Sequence, residues 1–348
     1  MTSIKDRLRQ NIAYMKEMLG SNPPFFFNEK GEFAMRASLS DVKSSTLRGY
    51  YMDYRRSVTH YHLWPPLTAP DENGVARADY TRWAGPEVGV QYFPMTIAQY
   101  ALGSYELFLD TGNWTYKQTF LAQADWLMKN VRITIRDTAV WEMHYNFLSY
   151  LNLSIPWISA MAQGQIASAL LRAYQLTGDM RYFSTAQKAL ETFRYSTLDG
   201  GVAWTDDEGF TFYEEFPTQP PCHVLNGHIW AMFGLYDYYR VTSSQDVLGL
   251  FNAGVSTLKR YLPSYDTGYW SRYDLLRKPG YAPIRYQHFH VELLKVLYEI
   301  THEEMFNEYA QRWSSCLKPI GKAYFALHLV GQRVREFLGN RLRLGEKT

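Results

Sequence analysis

The feature that most constrains this chain is a recurring unit: helical texture, a threonine-centred turn, then helical texture again. Pro94–Asp110 reaches Thr111-Gly112-Asn113, and Lys117–Arg132 follows; Ser159–Leu176 reaches Thr177-Gly178-Asp179, and Arg181–Tyr195 follows. Val224–Val241 and Asp246–Tyr261 flank Thr242-Ser243-Ser244, and Tyr286–Ile300 and Met305–Leu317 flank Thr301-His302-Glu303. The turns fall 66, 65 and 59 residues apart. The first helix of each pair is apolar nearly all round and carries small residues, as in Ile97–Gly103 and Ala160–Gly164. Such helices are buried on most sides. The second helix of each pair is more charged and reads as an outer helix. Inner helix, tight turn and outer helix, four times over, predict a mainly α fold, an incomplete (α/α) barrel of about four helix pairs.

The connections sort into two kinds. Inner-to-outer turns are short, whereas Ile133–Pro156, Ser196–His223 and Leu262–Arg285 are long and dense in Tyr, Trp, Phe, Arg and Glu. All three must emerge at one end of the array, and long ordered loops in a compact domain are usually functional. Within the second, Gly200–Thr205 and Phe210–Glu215 flank Asp206–Gly209 and predict a β-hairpin, with Thr211, Tyr213 and Glu215 on one face. The expected layout is an N-terminal extension over 1–84, a barrel over 85–330 and a polar basic tail over 331–348. Ile4, Leu8, Ile12 and Met15 sit at helical spacing and predict an amphipathic helix that docks on this chain or on a second copy.

Composition excludes several classes. Lys and Arg total 36 against 34 Asp and Glu, a net charge of +2 with no basic stripe, so no nucleic acid partner is expected. The two cysteines, Cys222 and Cys316, have no CxxC partner, so neither a disulfide framework nor a zinc ribbon is expected. No run of about 18 apolar residues occurs, so no membrane span is expected. The N-terminal residues lack the apolar stretch of a signal peptide, and a cytoplasmic location is expected. The 28 Tyr, 19 Phe and 10 Trp suit a core and equally a groove that stacks sugars.

Candidate chemistry reads as follows. His60/His62 and His288/His290 form HxH pairs without a third ligand at recognised spacing, so no metal is expected. No phosphate-binding glycine motif and no GxSxG elbow occurs, and no cofactor is expected. Glu214 and Glu215 are either a solvated acidic hairpin or, hemmed by Tyr213, Phe216 and Pro217, carboxyls of raised pKa suited to proton transfer. Tyr265, Tyr269, Tyr273, Arg277, Arg285 and Tyr286 are either a structural aromatic–arginine cluster or a clamp for a carboxylate. Pattern alone therefore indicates a groove for an anionic, sugar-like ligand and leaves its chemistry open.

Five strings go further: Tyr92–Gly103 (YFPMTIAQYALG), Pro156–Gly164 (PWISAMAQG), Tyr213–Pro217 (YEEFP), Val224–Gly227 (VLNG) and Leu262–Gly268 (LPSYDTG). In this order they resemble the D-glucuronyl C5-epimerase family, which converts glucuronyl to iduronyl units in heparan-type chains. The resemblance covers roughly 85–317, and it implies an α/α-barrel catalytic domain. It implies Glu215 as catalytic glutamate, from the second Glu of the family's Glu-Glu-Tyr-Pro string. Phe216 departs from that string, so a hydroxyl associated with the reaction in the animal enzymes is absent. Tyr273 matches a tyrosine in a Tyr-Asp-Leu string, Arg277 is the nearest match to an arginine after it, and Tyr286 matches a tyrosine four residues before His290.

The resemblance thus implies Glu215 and Tyr286 as opposed proton-transfer groups, with Tyr273 and Arg277 on the carboxylate. It places Trp157, Gln163, Tyr213, Asn226, Arg285 and His290 as further substrate contacts. The animal enzymes' β-rich region with its calcium is not recognisable, so no metal is carried over. The expected partner is a glucuronate-containing oligo- or polysaccharide, and a homodimer is expected. A uronate polysaccharide lyase and an inactive glycan-binding scaffold are the alternatives.

Overall fold

The computed structural model describes residues 14–16, 18–20, 27, 30, 32–63, 67–146 and 151–345. The threonine turns are the joints of four helix pairs. These are α1 (Pro94–Thr111) with α2 (Trp114–Lys129), α3 (Ala160–Thr177) with α4 (Met180–Leu190), α5 (Leu225–Thr242) with α6 (Gln245–Tyr265), and α7 (Ile284–Thr301) with α8 (Glu304–Cys316).

Each turn threonine works in the same way. Its hydroxyl donates to the carbonyl four residues back, that of Leu107, Ala173, Tyr238 or Leu297. It also accepts from the N–H two residues on, that of Asn113, Asp179, Ser244 or Glu303. One hydroxyl thereby serves two backbone groups that the helix end would leave unsatisfied. The residue between is left-handed: Gly112 and Gly178 in two turns, Ser243 and His302 in the others, at φ 59° and 56°. Asn113, Asp179 and Ser244 then cap the outer helices through their side chains. Helix α6 continues past the expected end at Tyr261 to Tyr265, because the fully buried Leu262 and Tyr265 hold the extra turn against the core.

The inner helices pack in sequence, α1 on α3, α3 on α5 and α5 on α7, each with its outer partner behind it. Helices α3 and α5 approach through glycines. A Cβ on Gly164 would stand 2.5 Å from the Ala231 carbonyl oxygen, and one on Gly234 would stand 2.5 Å from Gly164 Cα. Only hydrogen fits at either position. The charged residues of α4, α6 and α8 face out, and the core lies between the two layers.

The N-terminal segment spans the interval between α7 and α1. Phe33 stacks on His288 at 4.6 Å and meets Phe289 edge-on at 5.2 Å, and the Ala37 N–H donates to Glu292 Oε2 at 2.9 Å, all on α7. A short helix, Arg55–Thr59, packs on α1. Between these anchors the chain crosses the threonine-turn end, and side chains of the inner helices hold its backbone. Arg172 donates to the Arg48 and Gly49 carbonyls (both 3.0 Å), Arg240 to the Ser44 carbonyl (2.7 Å), and Glu106 accepts the Tyr50 N–H (2.8 Å). Asp237 ties the group together, bonded to Arg172 (2.6 Å), Arg240 (3.2 Å) and the Tyr51 hydroxyl (2.7 Å). The described part of 1–84 therefore shares the core of the helix pairs.

Ile4, Leu8 and Ile12 lie outside the described residues, and Met15 packs against a cluster that includes Trp270, Ile284 and Phe325. The last helix, α9 (Pro319–Gly345), runs unbroken across residue 331, and its Phe325 stacks flat on Trp270 at 4.0 Å. The expected hairpin is present as β1 (Ala203–Thr205) and β2 (Thr211–Tyr213), antiparallel, with Trp204 opposite Phe212. Asp206 Oδ1 accepts the N–H groups of Glu208 and Phe210 and closes the turn.

Candidate active site

The three long connections meet at the end opposite the threonine turns, and they are bonded to one another. Met143 and Trp157 form a β-bridge. The Ala160 N–H at the start of α3 donates to the Glu214 carbonyl (2.9 Å), and the Leu275 N–H to that of Cys222 (3.0 Å). The Leu225 N–H at the start of α5 donates to the Tyr273 carbonyl (3.1 Å). Together the connections enclose a second apolar cluster that includes Tyr80, Phe93, Trp157, Phe216 and Tyr273, with Tyr145 and Tyr286 packed on it.

Glu214 and Glu215 end the hairpin on the rim of this cluster. Both are buried, so the solvated-hairpin reading does not hold. The chain leaves the strand after Tyr213, and the two carboxyls meet different partners. Glu215 lies on the first turn of α5, so close that a Cβ at Gly227 would overlap its Oε2 and Cβ. The Asn226 side-chain N–H reaches Glu215 Oε2 at 3.4 Å. Burial, reinforced by the charge of Glu214, pushes the Glu215 carboxyl up to about 8. Glu214 meets His223 Nδ1 at 2.5 Å.

The phenols follow on the third connection and α7. Tyr273 and Tyr286 meet edge-to-face with centroids 4.7 Å apart. The Arg277 guanidinium lies 5.4 Å over the Tyr273 ring, and that of Arg285 lies 5.0 Å over Tyr286. Asp274 fixes Arg277 by accepting its Nε–H at 2.6 Å, while the arginine side chain stays 41% exposed. Tyr273 is linked to Glu215 through α5: its carbonyl holds the N–H of Leu225, two residues before Gly227.

Three expected substrate contacts face inward instead. Gln163 is fully buried and donates to the Ala139 (2.7 Å) and Ala189 (3.2 Å) carbonyls. The Tyr213 hydroxyl donates to the Leu250 carbonyl at 2.6 Å, which turns the ring toward α6. His290 is fully buried with Nδ1 2.7 Å from Ser271 Oγ, and burial lowers it to about 3. Trp157 is also buried, its Nε1–H on the Tyr145 carbonyl and its ring 5.7 Å from Phe216. Sequence reasoning missed His223, Tyr80 and Tyr145. Tyr80 and Tyr145 lie 5.7 Å apart. His223 was findable, because it is the one histidine between the Glu-Glu doublet and the helix that the doublet packs on.

Comparison with known proteins shows the family of the chain. The family model "D-glucuronyl C5-epimerase C-terminus" matches residues 136–315, just over half of the chain, and the chain belongs to that family. Curated relatives include the D-glucuronyl C5-epimerase of Caenorhabditis elegans, 36% identical over 229 residues, which are 60% of this chain and 35% of that protein. An uncharacterized protein of Methanocaldococcus jannaschii, MJ1128, is 33% identical over 178 residues, 50% of this chain and 56% of that one. The chain thus spans about a third to just over half of the curated relatives it matches. Among solved structures, cellobiose 2-epimerase from Spirochaeta thermophila aligns over 91% of this chain and 86% of its own at 13% identity and TM-score 0.49, too distant to bear on function. Among the described residues, no helix is long and apolar enough to cross a membrane.

Proposed function

We propose that this chain inverts C5 of D-glucuronyl units in an anionic glycan, giving L-iduronyl units. The observation that carries this reading is Glu215: a buried carboxyl with a raised pKa, packed on the first turn of a helix whose first N–H is held by the carbonyl of Tyr273, one of two arginine-capped phenols, in a chain of this family. The C5 proton of a uronate lies α to the C6 carboxylate and is only weakly acidic. Glu215, as carboxylate, takes that proton, and the C–H electron pair moves into the C6 carboxylate as an enediolate. Tyr286 gives its phenolic proton to C5 from the other face, the electron pair returns to form the new C–H bond, and solvent reprotonates the phenolate. Arg277, with Arg285 nearby, offers positive charge where the enediolate develops, and Tyr273 supplies a donor. The aromatic faces of the cluster suit sugar rings.

With Glu215 raised to about 8, most molecules hold it protonated at neutral pH. The neutral acid serves the direction in which Glu215 returns a proton, and the base form grows as pH rises. The test is incubation with glucuronate-containing oligosaccharides in heavy water, read by NMR. Deuterium at C5 without chain cleavage is the expected result. An unsaturated, ultraviolet-absorbing product would make the chain a lyase, and binding with neither change would make it a glycan-binding scaffold.

A further inference from the structure

Glu214 takes no part in the chemistry above, yet it is the more completely buried of the two glutamates, 1% exposed against 5%. All its groups are engaged. Its N–H donates to the Val202 carbonyl (2.8 Å), and its own carbonyl accepts from Ala160 (2.9 Å). Oε1 meets His223 Nδ1 at 2.5 Å, and Oε2 accepts the His223 N–H at 3.1 Å. With Glu214 as carboxylate, the Nδ1 atom carries the proton.

His223 is held as firmly. Its backbone is left-handed, φ 52°, a conformation that a non-glycine residue keeps only when its surroundings enforce it. Its ring stacks on Phe212 at 3.9 Å and packs on Trp204 at 4.7 Å, and its carbonyl accepts the Tyr265 hydroxyl at 2.6 Å.

We propose that Glu214 and His223 form a positioning pair for Glu215: the imidazole anchors the neighbouring carboxylate, fixing the peptide from which Glu215 projects and the charge that stands next to it. Glu214 is held by its N–H, its carbonyl and its carboxyl, so the planar peptide it shares with Glu215 is fixed. The anchored charge opposes ionisation of Glu215 through a short, buried path. The other ionisable groups near this pair are Cys222, whose Sγ lies 3.7 Å from Glu214 Oε2, Tyr265, His228 on α5, which burial keeps neutral, and Asp274, which Arg277 occupies. Among the described residues, His223 supplies the ring nitrogen in direct contact with Glu214.

The importance of the pair for turnover rests on the epimerase reading, whereas the following titration does not. Glutamate is labelled with 13C at the carboxyl, and the Glu215 resonance is identified by its loss in Glu215→Gln. In Glu214→Gln its midpoint falls by about one pH unit, because the neighbouring charge is gone, and in His223→Ala it rises, because that charge loses the partner that offsets it. In His223→Asn it stays within about 0.3 unit of the parent, because asparagine keeps a donor near Nδ1 and tolerates left-handed backbone. An unmoved midpoint in Glu214→Gln, or equal midpoints in the two His223 variants, overturns the proposal. If the variants do not fold, 15N spectra of the unaltered protein decide: a proton on His223 Nδ1 throughout supports the pair, and an imidazole protonated only at Nε2 overturns it. A titration as expected with no C5 exchange would leave the pair standing and remove the epimerase reading.

Discussion

Glu215 rests directly on Gly227, so the third residue of α5 has no room for a side chain beneath the candidate base. Gly227→Ala would favour the helix by about 1 kcal/mol in propensity while forcing the carboxyl aside. The expected outcome is a loss of C5 exchange of about 100-fold. Exchange rate and Tm measured on the same preparations separate displacement from unfolding; full exchange in the variant would show that Glu215 does not work from this position.

The pH dependence of stability has a definite sign. Glu215 and Glu106 are both raised from 4.5 to about 8, Glu106 by burial and the charge of Asp53 against two N–H donors. Between those values the folded chain holds more protons than the unfolded one, so stability falls as pH rises through this window. Each group contributes up to about 1.4 kcal/mol per pH unit. Glu215→Gln should abolish exchange, keep the fold and lose stability less steeply, giving a Tm above that of the parent near pH 8. Thermal melts from pH 5 to 9 check this.

Phe216 stands where the resemblance has a tyrosine, and its ring is buried against Trp157. Phe216→Tyr would add a hydroxyl inside the apolar cluster. Left unpaired, it should destabilise the fold by about 1–3 kcal/mol. Denaturant titration reads the loss; an unchanged midpoint would show that the cluster holds a partner for the hydroxyl.

Arg277 is half exposed and aimed by Asp274. Arg277→Lys keeps the charge but loses the planar fork suited to a carboxylate. The expectation is a fall of about 10- to 100-fold in kcat/KM with Tm nearly unchanged, since a pair this exposed adds little stability. Steady-state kinetics with melting curves test it.

Asp237 faces Arg172 and Arg240 at the opposite end of the barrel, where Asp237 and Arg172 are fully buried. Asp237→Asn would leave two guanidinium groups sharing a neutral partner. Breaking a buried pair on one side costs about 3–5 kcal/mol. A large drop in the urea midpoint is expected, and a drop below 1 kcal/mol would mean the network relaxes.

The helix pairs were legible because a threonine hydroxyl bridging two backbone groups is a local device. Thr111, Thr177, Thr242 and Thr301 each show it within a few residues of sequence. Glu215 was singled out by the family string, because its local pattern fitted a solvated hairpin as well as a buried carboxyl, and its burial depends on α5 packing from outside the hairpin. Gln163 and Gly164 show the limit. Their string marks the family, yet Gln163 bonds to backbone carbonyls 24 and 26 residues away, and Gly164 clears the backbone of α5. A string alone does not distinguish a residue that touches a ligand from one that lets two helices meet. The placement of residues 33–59 was not legible either, because it depends on pairings such as Arg48 with Arg172, 124 residues apart.

The crossing of residues 41–54 over the threonine-turn end bears on where this protein can be cut. The family segment begins at 136, downstream of α1 and of the Ser44, Arg48 and Gly49 carbonyls that Arg172 and Arg240 hold. A fragment trimmed to that segment would uncover two guanidinium groups and forfeit the wall that α1 provides. A fragment meant to fold on its own is therefore expected to need the chain back to Phe33, about a hundred residues before the first position that the family's sequence signature recognises, and circular dichroism of fragments starting at 30 and at 136 checks this.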